Sequence, residues 1–370
     1  TTIVKQRALS SLSKQLRKST PLSGNFVVSV DYKKQPDYKI LLQDLSLKVT
    51  EGSTTVELED CGSGTQSMAA FALYSYLAEL KGGTYVLGIE EPEVNLHPQA
   101  QKELLKNLKS MPLQVIFSTH SIVMVNQLEH EEIVLCRREK SQSRGFEVKV
   151  KQLNSNFWIN NNLDRDNYRQ FYRRGNSEFF FSSFVVVTEG PIDAEVVSLL
   201  LTKGGVDTDT FSVSMLPLNG VAALPYVYNL LKELEIPFAA VLDKDYFIPY
   251  LNDDLASSRA ATTGFPKYKK IYDNSCMIET MVPNMQERID LLDFFHSNHS
   301  KAMDILEIYN IFCFRWSLEI DLVGSTTGAD KLYDLFGLAG QDRNTAELLV
   351  NKRKALKRLE KVLPVTNSLN

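Results

Sequence analysis

The chain has 370 residues, a formal net charge of −4, 44% apolar and 23% charged residues. That length exceeds one compact core and predicts two or more domains, and the charge excludes a globally basic nucleic-acid binder while leaving room for a local basic surface. No apolar run approaches the roughly 20 residues a bilayer span needs, and the N-terminal TTIVKQRALSSLSKQLRKS has no signal-peptide core. Cys61, Cys136, Cys276 and Cys313 are far apart and form no CxxC pair, which predicts reduced thiols in a cytoplasmic protein and argues against zinc.

In chain order, NFVVSVDY (25–32) and YKILLQDLSLKV (38–49) read as strands. TTVELEDCGSGTQSMAAFALYSYLAEL runs from a strand through a Gly-Ser-Gly turn into a helix with Met68, Phe71, Ala72, Tyr74, Leu77 and Leu80 at helical spacing. A Gly-rich turn feeding a helix N-terminus suits a phosphate, although many such turns only cap a helix. YVLGIEEPEVNLHPQ (85–99) is an apolar strand ending in acids, QAQKELLKNLKSM an amphipathic helix, and LQVIFSTHS (113–121) a second buried strand. IVMVNQL is a short helix and EEIVLCRRE a further strand. Strand–helix–strand repetition predicts a mainly parallel sheet.

IEEPEVNLHP resembles the Walker B and D-loop region of ABC-type ATPases, STHS resembles their His switch, and GSGTQS (62–67) occupies the place of their signature motif. The resemblance implies that Glu90 holds Mg²⁺, Glu91 polarises water and His120 contacts the γ-phosphate. It also implies that Ser63 and Gly64 cover the nucleotide of a partner subunit. No GxxxxGK[ST] occurs in the chain. Residues 1–140 are therefore expected to be the C-terminal part of an ABC-type ATPase domain, which needs the P-loop part before it binds ATP.

Residues 141–183 read as a connector. Tyr168, Arg169, Phe171, Tyr172, Arg173 and Arg174 interleave aromatic and basic side chains. Such a pattern can stack on nucleic acid, but an interdomain helix that buries its aromatics is the favoured reading. From Phe184 the pattern is βαβαβ: FVVVTEG, a helix over DAEVVSLLLTKG, FSVSMLPL, a turn at Asn219-Gly220, a helix over VAALPYVYNLLKELE, and PFAAVLDKD. Right-handed crossovers bring the strand ends to one edge, so Glu189 and Asp243/Asp245 meet there. Carboxylates so gathered repel unless a cation or proton compensates. Oxygen ligands without Cys or His favour Mg²⁺ or Mn²⁺.

This E…DxD layout resembles a Toprim domain. Asp193, in EGPID, adds an acid on the first helical turn, and Lys244 between the two aspartates departs from the usual pattern. An ABC-type ATPase followed by Toprim resembles the OLD (overcoming lysogenization defect) family of nucleases, which includes the Gabija nuclease and related phage-defence effectors. The resemblance implies an α/β fold: part of an ATPase domain, then a Toprim domain over 184–370, a doubly wound parallel sheet with a helical insertion at about 253–310. It implies a metal-dependent DNA endonuclease using two Mg²⁺ or Mn²⁺ ions, with ATP at the complete ATPase domain, DNA as partner, and homo-oligomers. An accessory defence partner, a helicase or a reverse-transcriptase system, is left open. FRWSLEIDLVGS (314–325) matches the family's second acidic motif. Glu319 and Asp321 share a face if that segment is extended and part if it is helical, so a metal role falls to one or both. The family also places a catalytic lysine in a C-terminal helix such as LLVNKRKALKRLEKVL; Lys352 is the first choice, Lys354 the second and Lys331 a third. Glu189, Asp243, Asp245, Asp321 and Lys352 form the expected catalytic set. Glu279 and the Asp253-Asp254 pair read as structural or loop residues. A non-catalytic DNA clamp of the repair-ATPase type, with a vestigial Toprim domain, is the alternative.

Overall fold

The computed structural model describes residues 10–15, 26–32, 45–81, 86–111, 113–141, 145–173, 177–252 and 257–358. Arg174, the Asp253-Asp254 pair and the end of the basic C-terminal segment lie outside them, as do the side chains of Ser63, Arg169, Tyr172 and Arg173. The chain divides into two compact units, Thr1–Glu129 and His130–Asn370.

In the first unit β1 (Phe26–Tyr32), β2 (Leu45–Glu51) and β3 (Thr54–Glu57) form an antiparallel sheet. Helix α1 (Ser63–Lys81) follows and buries Met68, Ala69 and Ala72. Strand β4 (Val86–Glu90) pairs in parallel with β5 (Gln114–Ser118), Glu90 opposite Ser118. Helix α2 (Pro98–Lys109) crosses between them. It starts where Pro98 supplies a pre-set φ and the His97 ring accepts the Ala100 N–H. Its Leu104, Leu105 and Leu108 are buried, the one-sided stripe that helical spacing dictates.

The second unit opens with an antiparallel hairpin of β6 (Leu135–Ser141) and β7 (Gly145–Lys151). Two short helices, α3 (Phe157–Asn160) and α4 (Arg165–Arg173), complete the connector. Tyr226, in the helix over Leu224–Glu233, is fully buried, stacked on Trp158 and Tyr168 and edge-on to Phe157 and Phe171. Its hydroxyl hydrogen-bonds the buried His130 ring, and burial pulls His130 down to about 3, so the ring stays neutral. Tyr168 and Phe171 therefore belong to this core.

Beyond the connector, β8 (Phe184–Thr188), α5 (Pro191–Lys203), β9 (Val213–Pro217), α6 (Leu224–Glu233) and β10 (Phe238–Leu242) form the expected βαβαβ. A fourth strand, β11 (Ile311–Cys313), joins in parallel and makes the order β11-β10-β8-β9. The expected insertion ends at about 310 and no strand was expected at 311–313; a three-residue strand is too short to show a period of two. Val185, Val186, Val187 and Thr188 are all buried, as a central parallel strand covered on both faces requires. The chain leaves β8 toward β9 and returns on the other side of β8 as β10. The topological switch point thus lies between β8 and β10, where α/β sheets place their ligands.

Helices α7 (Ser275–Met281), α8 (Met285–Ser297) and α9 (His299–Glu307) form the insertion. After β11, the LExDL segment is helical: α10 (Leu318–Gly324), followed by α11 (Thr326–Leu335). Over its described residues the basic C-terminal segment is a π-helical turn at Glu347–Asn351 and one α-turn, α12 (Arg353–Leu356), rather than one continuous α-helix. Replacing Tyr226 with Ala removes the ring on which the connector packs. The expected cost is about 3–5 kcal/mol of unfolding free energy, read by urea denaturation; a cost under about 1 kcal/mol would show that the connector is not part of this core.

Candidate functional site

The strand register sets the site. Val241 pairs with Thr188, so Glu189 and Asp243 both follow directly where the ladder ends. Beyond Asp243 the backbone turns into a 3₁₀ segment, Lys244–Tyr246, which returns Asp245 to the same place. One carboxylate oxygen each from Glu189, Asp243 and Asp245 lies within 4.8 Å of the others. Asp193 sits at the third position of α5, where its Oδ2 accepts the Gly190 N–H at 2.9 Å and caps the helix. A β-carbon on Gly190 would stand 3.1 Å from that oxygen, tighter than side chains normally tolerate.

The electrostatics follow from crowding acids in a half-dry crevice. Burial first, then the neighbouring acids Glu189, Asp245, Asp193 and Glu319, push Asp243 up to about 9. Burial, Asp245 and Asp193 push Glu189 up to about 7. Burial and Glu319 raise Asp193 to about 6. Asp245 is raised by burial, opposed by a hydrogen bond from the Tyr250 hydroxyl. Glu189 Oε2 and Asp243 Oδ1 are buried without a hydrogen-bond partner. Unsatisfied buried carboxylate oxygens are costly, and an all-oxygen donor set fits Mg²⁺ or Mn²⁺. Glu189, Asp243 and Asp245 would hold such an ion, with Asp193 and Glu319 in electrostatic reach.

Helix α10 separates the two acids of the LExDL segment. Glu319 accepts the Ser317 hydroxyl at 2.9 Å and faces Asp193 and Asp243. The Asp321 Oδ2 accepts the Arg315 N–H at 2.7 Å; burial raises its carboxyl to about 6 against the pull of Arg315 and Lys244, and its Oδ1 is buried without a hydrogen-bond partner. Among the lysines, Lys352 pairs with Glu347 at 4.0 Å, and Lys354 and Lys331 are exposed. Lys357 is the lysine whose charge pulls down Glu189, Asp193 and Asp245. Sequence reading passed over Lys357, and also over Tyr250 and the buried Arg259, which faces Glu319 from the insertion. Glu279 is exposed on α7. Tyr246 is buried, 5% exposed, against Phe247.

In the first unit, Glu90 closes β4, and Glu91 takes a left-handed backbone (φ 42°) that is costly for a glutamate. Its N–H donates to Ser118 O at 3.1 Å. This turn brings Glu91 Oε1 to 3.9 Å from His120 Nε2. Glu93 Oε1 fixes the His120 loop by accepting the Thr119 hydroxyl at 2.6 Å and the His120 N–H at 2.9 Å. Gly64 begins α1 against the NLHP loop, where a β-carbon would meet Leu96 Cδ2 at 2.7 Å. The Glu90-Glu91, His120 and Gly64 segments thus gather at one end of the β4–β5 pair.

The fold and sites define an α/β chain that joins an ATPase-type segment to a Toprim domain. Residues 5–125 match the family described as AAA ATPase domain, and residues 180–245 match the TOPRIM domain of overcoming lysogenization defect protein-like proteins. The chain is 28% identical to an OLD nuclease of Thermus scotoductus over 54% of its length and 38% of that protein. It is 25% identical to the Old nuclease of Escherichia phage P2 over 65% of its length and 44% of that protein. It is also 22% identical to endonuclease GajA of Bacillus cereus over 43% of its length and 26% of that protein. The chain therefore spans less than half the length of each of these relatives. Among the described residues no helix is long and apolar enough to cross a membrane.

The raised carboxyls have a consequence for stability. Each holds its proton more tightly folded than unfolded. Its contribution is therefore present below about 4, the ordinary carboxyl range, and is lost as pH rises through about 6 for Asp193, 7 for Glu189 and 9 for Asp243. The melting temperature of the metal-free chain is expected to fall from pH 5 to pH 9, with a shallower fall in Asp243→Asn. Millimolar Mn²⁺ should restore more stability at pH 8 than at pH 6; a metal effect independent of pH would contradict this electrostatic account.

Proposed function

We propose that the acidic crevice is the active site of a metal-dependent DNA endonuclease, or nickase, that hydrolyses phosphodiester bonds. The observation that carries this reading is the set of three strand-end carboxylates, two with buried, unpartnered oxygens, at the switch point of a Toprim sheet. The relatives' names as nucleases support it. Mg²⁺ or Mn²⁺, when bound, supplies Lewis-acid polarisation of a phosphoryl oxygen and lowers the pKa of bound water. The protein's own part is to hold Glu189, Asp243 and Asp245 together, with Asp193 and Glu319 behind them, and to exclude competing donors. Lys357 stands where its ammonium offsets negative charge developing on a phosphate, and it replaces Lys352 as the preferred lysine. The ATPase-type segment, completed by a P-loop, would regulate cutting through dimers or larger homo-oligomers, and anti-phage defence is the proposed setting. The proposed domain map is 1–140, 141–183 and 184–370, with the division into compact units after Glu129 putting strand β6 with the connector.

Supercoiled plasmid incubated with the protein and Mn²⁺ tests the reading. Nicking is expected, and Glu189→Ala and Asp243→Ala should abolish it. Plasmid binding without nicking in the unaltered protein would favour a non-catalytic clamp. Lys357→Ala is expected to slow nicking about 10²–10³-fold, more than Lys352→Ala; the reverse order would restore Lys352. Tyr246→Phe should nick normally, since that hydroxyl is buried away from the crevice; loss of activity with a covalent DNA adduct would point to a tyrosine nucleophile instead.

A further inference from the structure

Beyond Asp245 the chain builds a small antiparallel platform before the helices of the insertion begin. Tyr250 faces Tyr268 across it, and the bonds on either side, Leu251 N–H to Lys267 O and Lys269 N–H to Pro249 O, are both 2.8 Å. Backbone bonds that flank a facing pair mark the narrow pairs of an antiparallel ladder, whose side chains stand closest on one face. The Tyr250 and Tyr268 rings accordingly stack, 5.1 Å apart and 18° from parallel. A second pair of the same kind, Arg259 opposite Pro266, adds 258–260 on the other side of 265–267. Its flanking bonds are Lys267 N–H to Ser258 O at 2.8 Å and Ala260 N–H to Phe265 O at 3.0 Å. The buried Arg259 guanidinium donates to Gly264 O at 2.6 Å and closes the loop between them.

The two tyrosine hydroxyls differ. That of Tyr250 hydrogen-bonds the Asp245 carboxylate. That of Tyr268 is buried without a hydrogen-bond partner. What holds Tyr268 is its ring, stacked on Tyr250 and 4.9 Å from the Lys244 ammonium, which the Phe295 carbonyl fixes in turn. Asp245 has one oxygen among the three that lie within 4.8 Å of one another. The last torsion of an aspartate is intrinsically broad, so a donor outside the cluster sets the plane of this carboxylate and the direction in which it offers that oxygen.

We propose that Tyr250 is a positioning residue for the metal site: its hydroxyl fixes the Asp245 carboxylate in its ligating orientation, and the stacked Tyr268 ring holds Tyr250 there. The insertion then shapes the ion's coordination without supplying a ligand of its own from this platform. The inference rests on the metal-nuclease reading above.

Calorimetric titration of the full chain with MnCl₂ tests it, with folding checked by circular dichroism. Tyr250→Phe keeps the ring and its stack and removes only the hydroxyl. It is expected to fold, to keep the number of Mn²⁺ sites and to weaken Mn²⁺ binding about 10-fold, as losing a group that orients a ligand does. Tyr268→Phe should weaken binding less than Tyr250→Phe, and Tyr268→Leu, which removes the stacked ring, more than Tyr268→Phe. A role for Tyr250 in packing alone is preserved by the phenylalanine ring, so unchanged or tighter Mn²⁺ binding in Tyr250→Phe would overturn the proposal. Weakening in Tyr268→Phe equal to or greater than that in Tyr250→Phe would assign the role to the other hydroxyl and overturn it as well. Should Tyr268→Leu not fold, the two phenylalanine variants decide the matter. If the unaltered protein binds no Mn²⁺, the metal reading fails and takes this inference with it; binding that Tyr250→Phe leaves untouched sinks the inference alone.

Discussion

The repulsion among carboxylates at the end of β8 and β10 is the constraint on which the rest of this domain depends. Glu189, Asp243 and Asp245 are held within 4.8 Å of one another in a crevice dry enough to drive Asp243 far above its ordinary range. Acids so placed must share protons or a cation. The fold supplies no buried cation in hydrogen-bond contact with Glu189 Oε2 or Asp243 Oδ1. Two cationic side chains act differently: Lys357 pulls on the acids through its charge, and Lys244 turns its charge into the insertion.

That concentration of charge is built by apolar means. Fully buried β8 aligns the sheet, Thr188 opposite Val241 fixes the register, and the crossing of the chain about β8 opens the crevice. The helices of the insertion act at one remove. Phe295 receives Lys244, and the strand that follows the insertion adds the turn carrying Arg315 to Ser317. The connector is tied to the same unit through the Tyr226 ring, so hairpin, connector and Toprim sheet form one body of packed side chains.

Much of this was legible in the sequence because parallel strands write themselves plainly. FVVVTEG and PFAAVLDKD are short apolar runs that end in acids, and the βαβ rule brings such ends together. What stayed hidden depends on phase. Glu319 and Asp321 could not be ranked until the segment was seen to be helical. Nothing in the sequence ranks the lysines of the basic segment, and Lys357 is the one whose charge reaches the acids. Tyr250 and Arg259 come from an insertion with no periodic signal. Tyr168 and Phe171 carried a pattern that serves nucleic acid or a core equally well, and burial around Tyr226 decided it. In the first unit, the acidic strand end and the His120 loop were readable as motifs, whereas the left-handed turn at Glu91 that joins them was not.

The central claim is that the crevice exchanges protons for a divalent cation. Titrating the protein with Mn²⁺ at pH 7 in two buffers of different ionisation enthalpy counts the protons released on binding. Asp243 raised to about 9 and Glu189 to about 7 predict release of at least one proton per ion, and less in Asp243→Asn. Binding with no proton release, or release unchanged in that variant, would contradict the account.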